Sequence, residues 1–440
     1  MRKRHDAINH KIRLLRTEKQ LTLRQLAERT GVSHSTINRI EQGIVEPSES
    51  ALLALEKALG FHHVTHREDV ERYNHHRLRL YRHIIYVNYE AAQAALDALL
   101  AHRKTYESSD CFIDFYLMMF MAVTHLRVHL DWHDELYRKL TVLSKAFNRP
   151  QQSLFLLESG IYWSFFKDNR HRGKEAVEAH FAITTSENER AIGEYTLGAM
   201  NLNDYRCFKR GVMYLDAAQQ RFQSHNNFVR VMMTKAMKQI LYIYMNRFDA
   251  FVELNKQTRY FSEIKGIEII YRSSMKSLAR YYLVRGEYKA AADTLDRFLD
   301  ANEADYYLLK GYALFRLERF VEALAVIREA REASLYDAHD LSASGLSAME
   351  KRITQGSTDE ALLAMQAYLD KAFEVRDYMS IRLGFKMIAP ELEARRQYKA
   401  LHQYADRLLE AVKNIVGKDE AHETRSTRTD VSNDHASRAD

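Results

Sequence analysis

From Ser33 to Gln42 the chain reads SHSTINRIEQ, and its side chains divide by type. Ile37 and Ile40 share one face of a helix, while His34, Ser35, Thr36, Asn38 and Arg39 fall on the outward faces or at the leading edge. All five can hydrogen-bond. An arginine can grip guanine O6 and N7 together, and serine or asparagine can reach base edges in a major groove. Thr22, Arg24 and Gln42 stand at helix ends or edges, where a phosphate contact positions a protein without reading sequence. The chemistry on offer is recognition of double-stranded DNA.

The elements that must position these groups are legible around them. The pattern predicts a first helix over 8–19. Thr22 would cap a second helix, 23–30, by accepting from its free amides, and Gly31 would end it in the left-handed region. Ser33 would cap a third helix, 34–42, stopped by Gly43, and Ser48 a fourth, 49–59, closed by Gly60. Two short helices crossing closely at Ala27 and Val32 describe helix-turn-helix geometry, with the second helix in the groove. Charge agrees. The net charge is +6, yet up to Ile40 there are ten Lys or Arg against three Asp or Glu, so the rest is about neutral.

This stretch resembles the XRE, or lambda-repressor-like, helix-turn-helix family. Leu21, Thr22, Leu26, Ala27, Gly31, Val32, Ser33, Ile37, Glu41 and Gly43 all stand where that pattern asks. The resemblance implies base-reading roles for His34, Ser35 and Arg39. Leu23 departs from it, standing where members usually carry a phosphate-contacting Gln, which puts that contact in doubt or moves it to Arg24. Lys11 is a further candidate for phosphate.

The 62–69 segment is polar, breaks the periodicity and is expected to be a linker and hinge. Its His62, His63 and His66 have no accompanying cysteine or carboxylate cluster, so no metal is expected. From 70 to 416 the chain reads as alternating amphipathic helices with internal repetition. One signature recurs at 88, 133, 171, 207, 247, 287, 319, 357 and 397, spaced roughly 32 to 45 residues apart. About nine helix pairs follow. The copy with Tyr307, Gly311, Phe320, Ala323 and Ala330 resembles a tetratricopeptide repeat, as does the preceding one with Ala279, Tyr282, Gly286, Tyr288 and Ala291. Stacked pairs of this kind bury their faces against neighbours and make a right-handed superhelix with a concave face. Such a face binds extended peptides. Asn201, Asn203, Tyr244, Arg280, Tyr312 and Arg316 are the candidate peptide-contacting residues on outward first-helix positions. Residues 417–440 lack apolar periodicity and are expected to be a disordered tail.

Three prolines and 15 glycines are too few to punctuate sheets, so the expected class is all-α. No apolar run is long enough to span a membrane, the N-terminus has no secretory signal, and Cys111 and Cys207 have no redox or metal spacing. No catalytic constellation or cofactor motif is present, so an enzyme is not expected. A helix-turn-helix followed by tetratricopeptide-like repeats resembles the RRNPP-type peptide-responsive quorum-sensing regulators. That resemblance implies a cytoplasmic homodimer, joined through C-terminal repeats such as 357–416. It implies a short signalling peptide on the concave face that alters DNA binding. The alternatives are a phage-type repressor or a Rap-like regulator whose repeats dock a protein partner instead.

Overall fold

The computed structural model describes residues 2–297, 304–333 and 340–416; of residues 2–7, 203 and 416 the backbone alone is described. The expected tail, 417–440, lies outside them. Among the described residues there is no strand, and no helix is long and apolar enough to cross a membrane.

Local signals start and stop the first four helices, α1 (Arg2–Glu18), α2 (Leu23–Thr30), α3 (His34–Glu41) and α4 (Glu49–Leu59). Thr22 and Gln25 form a reciprocal capping box: the Gln25 amide donates to Thr22 Oγ1 at 3.2 Å and the Thr22 amide to Gln25 Oε1 at 2.8 Å. Gly31, at φ +71°, turns the chain out of α2. Ser33 and Ser48 cap α3 and α4. The amphipathic faces so produced close on Ile8, Ile12, Leu21, Leu26, Ile37, Ile40, Leu55 and Leu59, all buried.

Among the described residues nine helix pairs follow in chain order, as the repeat count predicts. The first is α5 (Arg67–Ile85) with α6 (Tyr89–Leu100), then a short α7 (Arg103–Glu107), then α8 (Phe112–Leu126) with α9 (His133–Leu143). The others are Arg149–Phe165 with Arg170–Ile183, Glu187–Met200 with Phe208–Ser224, Phe228–Tyr244 with Phe248–Lys265, and Glu268–Arg285 with Tyr288–Asp296. The last three are Ala304–Arg316 with Phe320–Glu332, Leu341–Gln355 with Asp359–Val375, and Tyr378–Ala394 with Tyr398–Val416. All nine recurrences found in the sequence open the second helix of a pair.

The chain divides into two compact units: 1–196 with 221–230, and 197–220 with 231–440. The first contains the N-terminal four-helix head. Within it α8 is buried nearly all round, which is why FYLMMFMAV carries so little polarity. Helices Arg149–Phe165 and Arg170–Ile183 cross at paired glycines. A Cβ on Gly160 would meet Val177 Cγ2 at 2.4 Å, and one on Gly173 would meet the Gly160 carbonyl oxygen at 2.8 Å. In the second unit Gly345 plays this part, since its Cβ would meet Leu308 Cδ1 at 2.7 Å and Tyr368 at 2.9 Å.

Gly173→Ala should therefore overpack the crossing and lower stability by about 1–3 kcal/mol. Urea unfolding checks this, and an unchanged midpoint would show that the crossing is loose.

Candidate nucleic-acid interface and repeat face

Thr22, Arg24, Ser33, His34, Ser35, Thr36, Asn38, Arg39 and Gln42 are all exposed, while Ile37 and Ile40 are fully buried. Seven of the nine stand on α3 or at its two caps, while Thr22 caps α2 and Arg24 lies in its first turn. Their side chains divide further. Thr22 is committed to its capping box. Ser33 Oγ accepts from the Thr36 amide at 3.1 Å and lies 2.8 Å from Thr36 Oγ1, so these two hydroxyls hold the helix start. Gln42 Nε2 donates to Asn38 Oδ1 at 3.2 Å, which orients both amides. Arg24 and Arg39 have no carboxylate partner among the described residues and are free to meet an anion or a base. Leu23 packs against the head core rather than facing solvent, so the position of the expected Gln contributes apolar burial.

What holds α3 in place is an ion pair that the sequence analysis missed. Glu41, on the inner side of α3, is buried and receives Arg16 of α1 in a bidentate contact: Nε to Oε1 at 2.6 Å and Nη2 to Oε2 at 2.7 Å. Arg16 Nη1 also donates to the Leu21 carbonyl at 2.8 Å. One guanidinium thus ties together α1, α3 and the turn into α2. The hydrogen bond to Glu41 raises the Arg16 pKa above its usual value. The available signal was an acid inside an apolar stripe, which demands a cation.

Lys11 is a correction. Expected as a phosphate contact, it is buried against the repeats. Its Nζ donates to the Glu107 carbonyl at 2.5 Å and lies 5.3 and 5.5 Å from the ring centres of Phe61 and Phe112. Burial pushes its pKa down to about 8, against the opposing pull of Glu107, Glu56 and Asp110. The expected hinge is also corrected, because it is bonded on both sides. His63 Nε2 meets Asp110 Oδ1 at 2.8 Å, and the His63 amide donates to Glu56 Oε1 at 2.8 Å. The Val64 amide donates to the Ser108 carbonyl at 3.0 Å, and the Asp110 amide to Thr65 Oγ1 at 3.0 Å. Lys139 of α9 pairs with Glu18 of α1 at 3.2 Å. The polarity of 62–69 reflects these bonds, not slack, and α5 already begins at Arg67.

Several candidate peptide contacts are placed differently from expectation. Tyr244 and Tyr312 are buried, not outward. Tyr244 stacks on Phe208 at 5.3 Å and meets Tyr378 edge-on at 5.8 Å, so helices far apart in sequence remove it from solvent. Arg280 is buried and hydrogen-bonds Asp305. Asn201 turns back to donate to the Leu197 carbonyl at 2.8 Å. The side chain of Asn203 lies outside the described residues. Arg316 is half-buried, with Nη1 donating to Tyr312 Oη at 3.3 Å and to the Lys386 carbonyl at 3.2 Å. Arg376 Nη1 also lies 3.3 Å from Asp204 Oδ2, so segments of the second unit far apart in sequence are joined by both ring and ion-pair contacts.

Residues 12–64 match the helix-turn-helix family. A Rap protein complexed with competence and sporulation factor has a similar fold: TM-score 0.64, 12% identity, 78% of this chain and 99% of that chain covered. NprR in complex with its cognate peptide NprX gives 0.55 at 12% identity, over 75% and 98%. The apo form of the quorum sensor NprR from B. thuringiensis gives 0.54 at 11%, over 78% and 99%. The chain thus joins a helix-turn-helix head to a repeat fold like that of the Rap and NprR structures. At such identities the likeness to the Rap and NprR structures is one of fold. No curated protein matches the chain.

Two outcomes are expected. Glu41→Ala leaves the inward Arg16 without its carboxylate and should destabilise the head by about 3 kcal/mol, while Arg16→Met with Glu41→Leu recovers most of that. Hydrogen exchange of head amides reads the difference, and equal protection in all three proteins would remove the ion pair's role. For Lys11, the folded pKa lies below the usual 10.5, so the docked head binds fewer protons than the undocked one between pH 8 and 10.5. Docking should tighten as pH rises through that window and gain nothing below it. Lys11→Met should flatten the slope, measured as exchange protection of the Val64 amide at about pH 7.5, below the window, and about pH 9.5, within it.

Proposed function

We propose that the chain is a transcriptional regulator that reads a specific DNA operator through its helix-turn-helix head and binds a short signalling peptide on its repeats, the peptide modulating DNA binding. The observation that carries the reading is the outward face of α3. His34, Ser35, Asn38 and Arg39 stand exposed on a helix whose inner face is pinned by Arg16 and by Ile37 and Ile40. Arg39, with Ser35, Asn38 and His34, reads base edges; Arg24 and Gln42 take phosphates; Thr22, Ser33 and Thr36 hold the two helix starts that approach the backbone. The repeat fold supports the second half of the proposal, since related folds are described in complex with competence and sporulation factor and with NprX.

The coupling is a matter of linkage. A ligand shifts a protein only by its unequal affinity for two arrangements. The chain acts as a homodimer joined through its C-terminal repeats, and two recognition helices must match half-sites about 34 Å apart or a multiple of that. Because 63–65 is bonded to 108–110, a head follows the repeats beneath it. A peptide that changes repeat curvature then changes the spacing of the two heads.

On an operator selected from randomised DNA, Arg39→Ala should cost about 1–3 kcal/mol at one base position and relax specificity there. Arg24→Ala should weaken binding across all sequences and reduce the salt slope by about one. Competition binding at several salt concentrations separates the two. Regulation that survives Arg39→Ala in cells would point instead to a Rap-like protein partner as the essential target.

A further inference from the structure

In the second unit three cations converge on one spot without an acid between them. Arg316 ends the helix Ala304–Arg316; Arg382 and Lys386 stand one turn apart on Tyr378–Ala394. Arg316 reaches the carbonyl of Lys386 itself, and its guanidinium lies 4.9 Å over the Tyr288 ring. Arg382 lies 5.7 Å over Tyr378. All three are half-buried, and none has a carboxylate partner among the described residues. Three other cations of the unit are neutralised: Arg280 by Asp305, Arg376 by Asp204, Arg352 by Glu391.

Such a cluster is unfavourable by itself. Lys386 registers the strain, because its ammonium is held below the ordinary lysine range by burial and then by Arg382 and Arg316. Like charges gathered in a partly desolvated site are offset when an anion enters. Two guanidiniums lying over tyrosine rings are already oriented, so little rotamer freedom is lost when they fork onto an anion. Arg316 spends Nη1 on Tyr312 and the Lys386 carbonyl, and its remaining donors have no acceptor among the described residues. Forked guanidiniums beside a point ammonium suit a planar two-oxygen acceptor.

We propose that Arg316, Arg382 and Lys386 form a receptor for a carboxylate of the bound peptide, its C-terminus or an acidic side chain. The proposal rests on the peptide-binding reading above and adds a chemical requirement to it. Arg316 was one of the residues singled out by sequence; Arg382 and Lys386 were not, since their partner cation lies about seventy residues upstream. The carboxylate takes the place of the missing counter-ion and draws the two helices together.

The test uses the full chain and randomised pools of short peptides: one with free C-termini, one amidated, and one amidated and lacking Asp and Glu. Peptides retained after size exclusion are counted by mass spectrometry for wild type, Lys386→Met, Arg382→Gln and the charge-preserving Lys386→Arg. Wild type should retain the free-acid pool about tenfold or more over the amidated, acid-free pool, the expected worth of a charge-assisted contact. Enrichment of Asp and Glu in the amidated pool would assign the carboxylate to a side chain, and its absence to the C-terminus. Lys386→Met and Arg382→Gln should erase the preference and Lys386→Arg keep it. The melting temperature of the peptide-free protein should rise in Lys386→Met, because repulsion is relieved, which also reports that the variant folds. Equal retention of all pools by wild type overturns the carboxylate receptor and leaves peptide binding standing. No retention of any pool overturns both.

Discussion

The guanidinium of Arg16 is the constraint on which the head depends. It is held by both carboxylate oxygens of Glu41 and by the Leu21 carbonyl, so α1, α3 and the entry to α2 share one fixed point. Burying such a pair is not in itself a large source of stability, because desolvation opposes the attraction. Its effect is geometric. A helix only eight residues long has little stiffness of its own. With Ile37 and Ile40 beneath it and Glu41 clamped, α3 presents its polar side in one orientation, and a bidentate base contact tolerates little else.

That fixed head is in turn fixed to the repeats. Docking leaves α3's polar face uncovered: the candidate DNA-contacting side chains stay exposed while Lys11, His63 and Glu18 are engaged. A tethered, freely swinging head would report nothing about the state of the repeats. A bonded one transmits displacement of α7 to α9 directly. Lys11 illustrates the exchange: a cation that could have met phosphate is held between two aromatic rings and contributes to docking.

In the second unit the interior is built from aromatic rings and paired charges contributed by helices far apart in sequence. Phe208, Tyr244 and Tyr378 meet across it, and Arg376 bonds Asp204. This closure explains why first-helix positions that look outward on a single repeat are buried in the stack. It also leaves the Arg316, Arg382 and Lys386 group conspicuous, as charge that the protein itself does not answer.

The sequence by itself determined whatever is decided within about one helical turn. The bounds of α2 and α4 follow from Thr22, Gly31, Ser48 and Gly60, because a cap is a hydrogen bond to an amide three residues away. The nine second helices and the exposed face of α3 follow from periodicity alone. Tertiary structure decided everything that depends on a distant partner. It made Arg16 and Glu41 a clamp, turned Lys11 from a surface cation into a docking residue, and bonded a stretch that reads as a hinge. It buried Tyr244 and Tyr312, and it set Lys386 beside Arg316. The physical reason is the same in each case. Burial and ion pairing are properties of a neighbourhood, and a neighbourhood assembled from segments tens to hundreds of residues apart leaves no mark in the local pattern of any one of them.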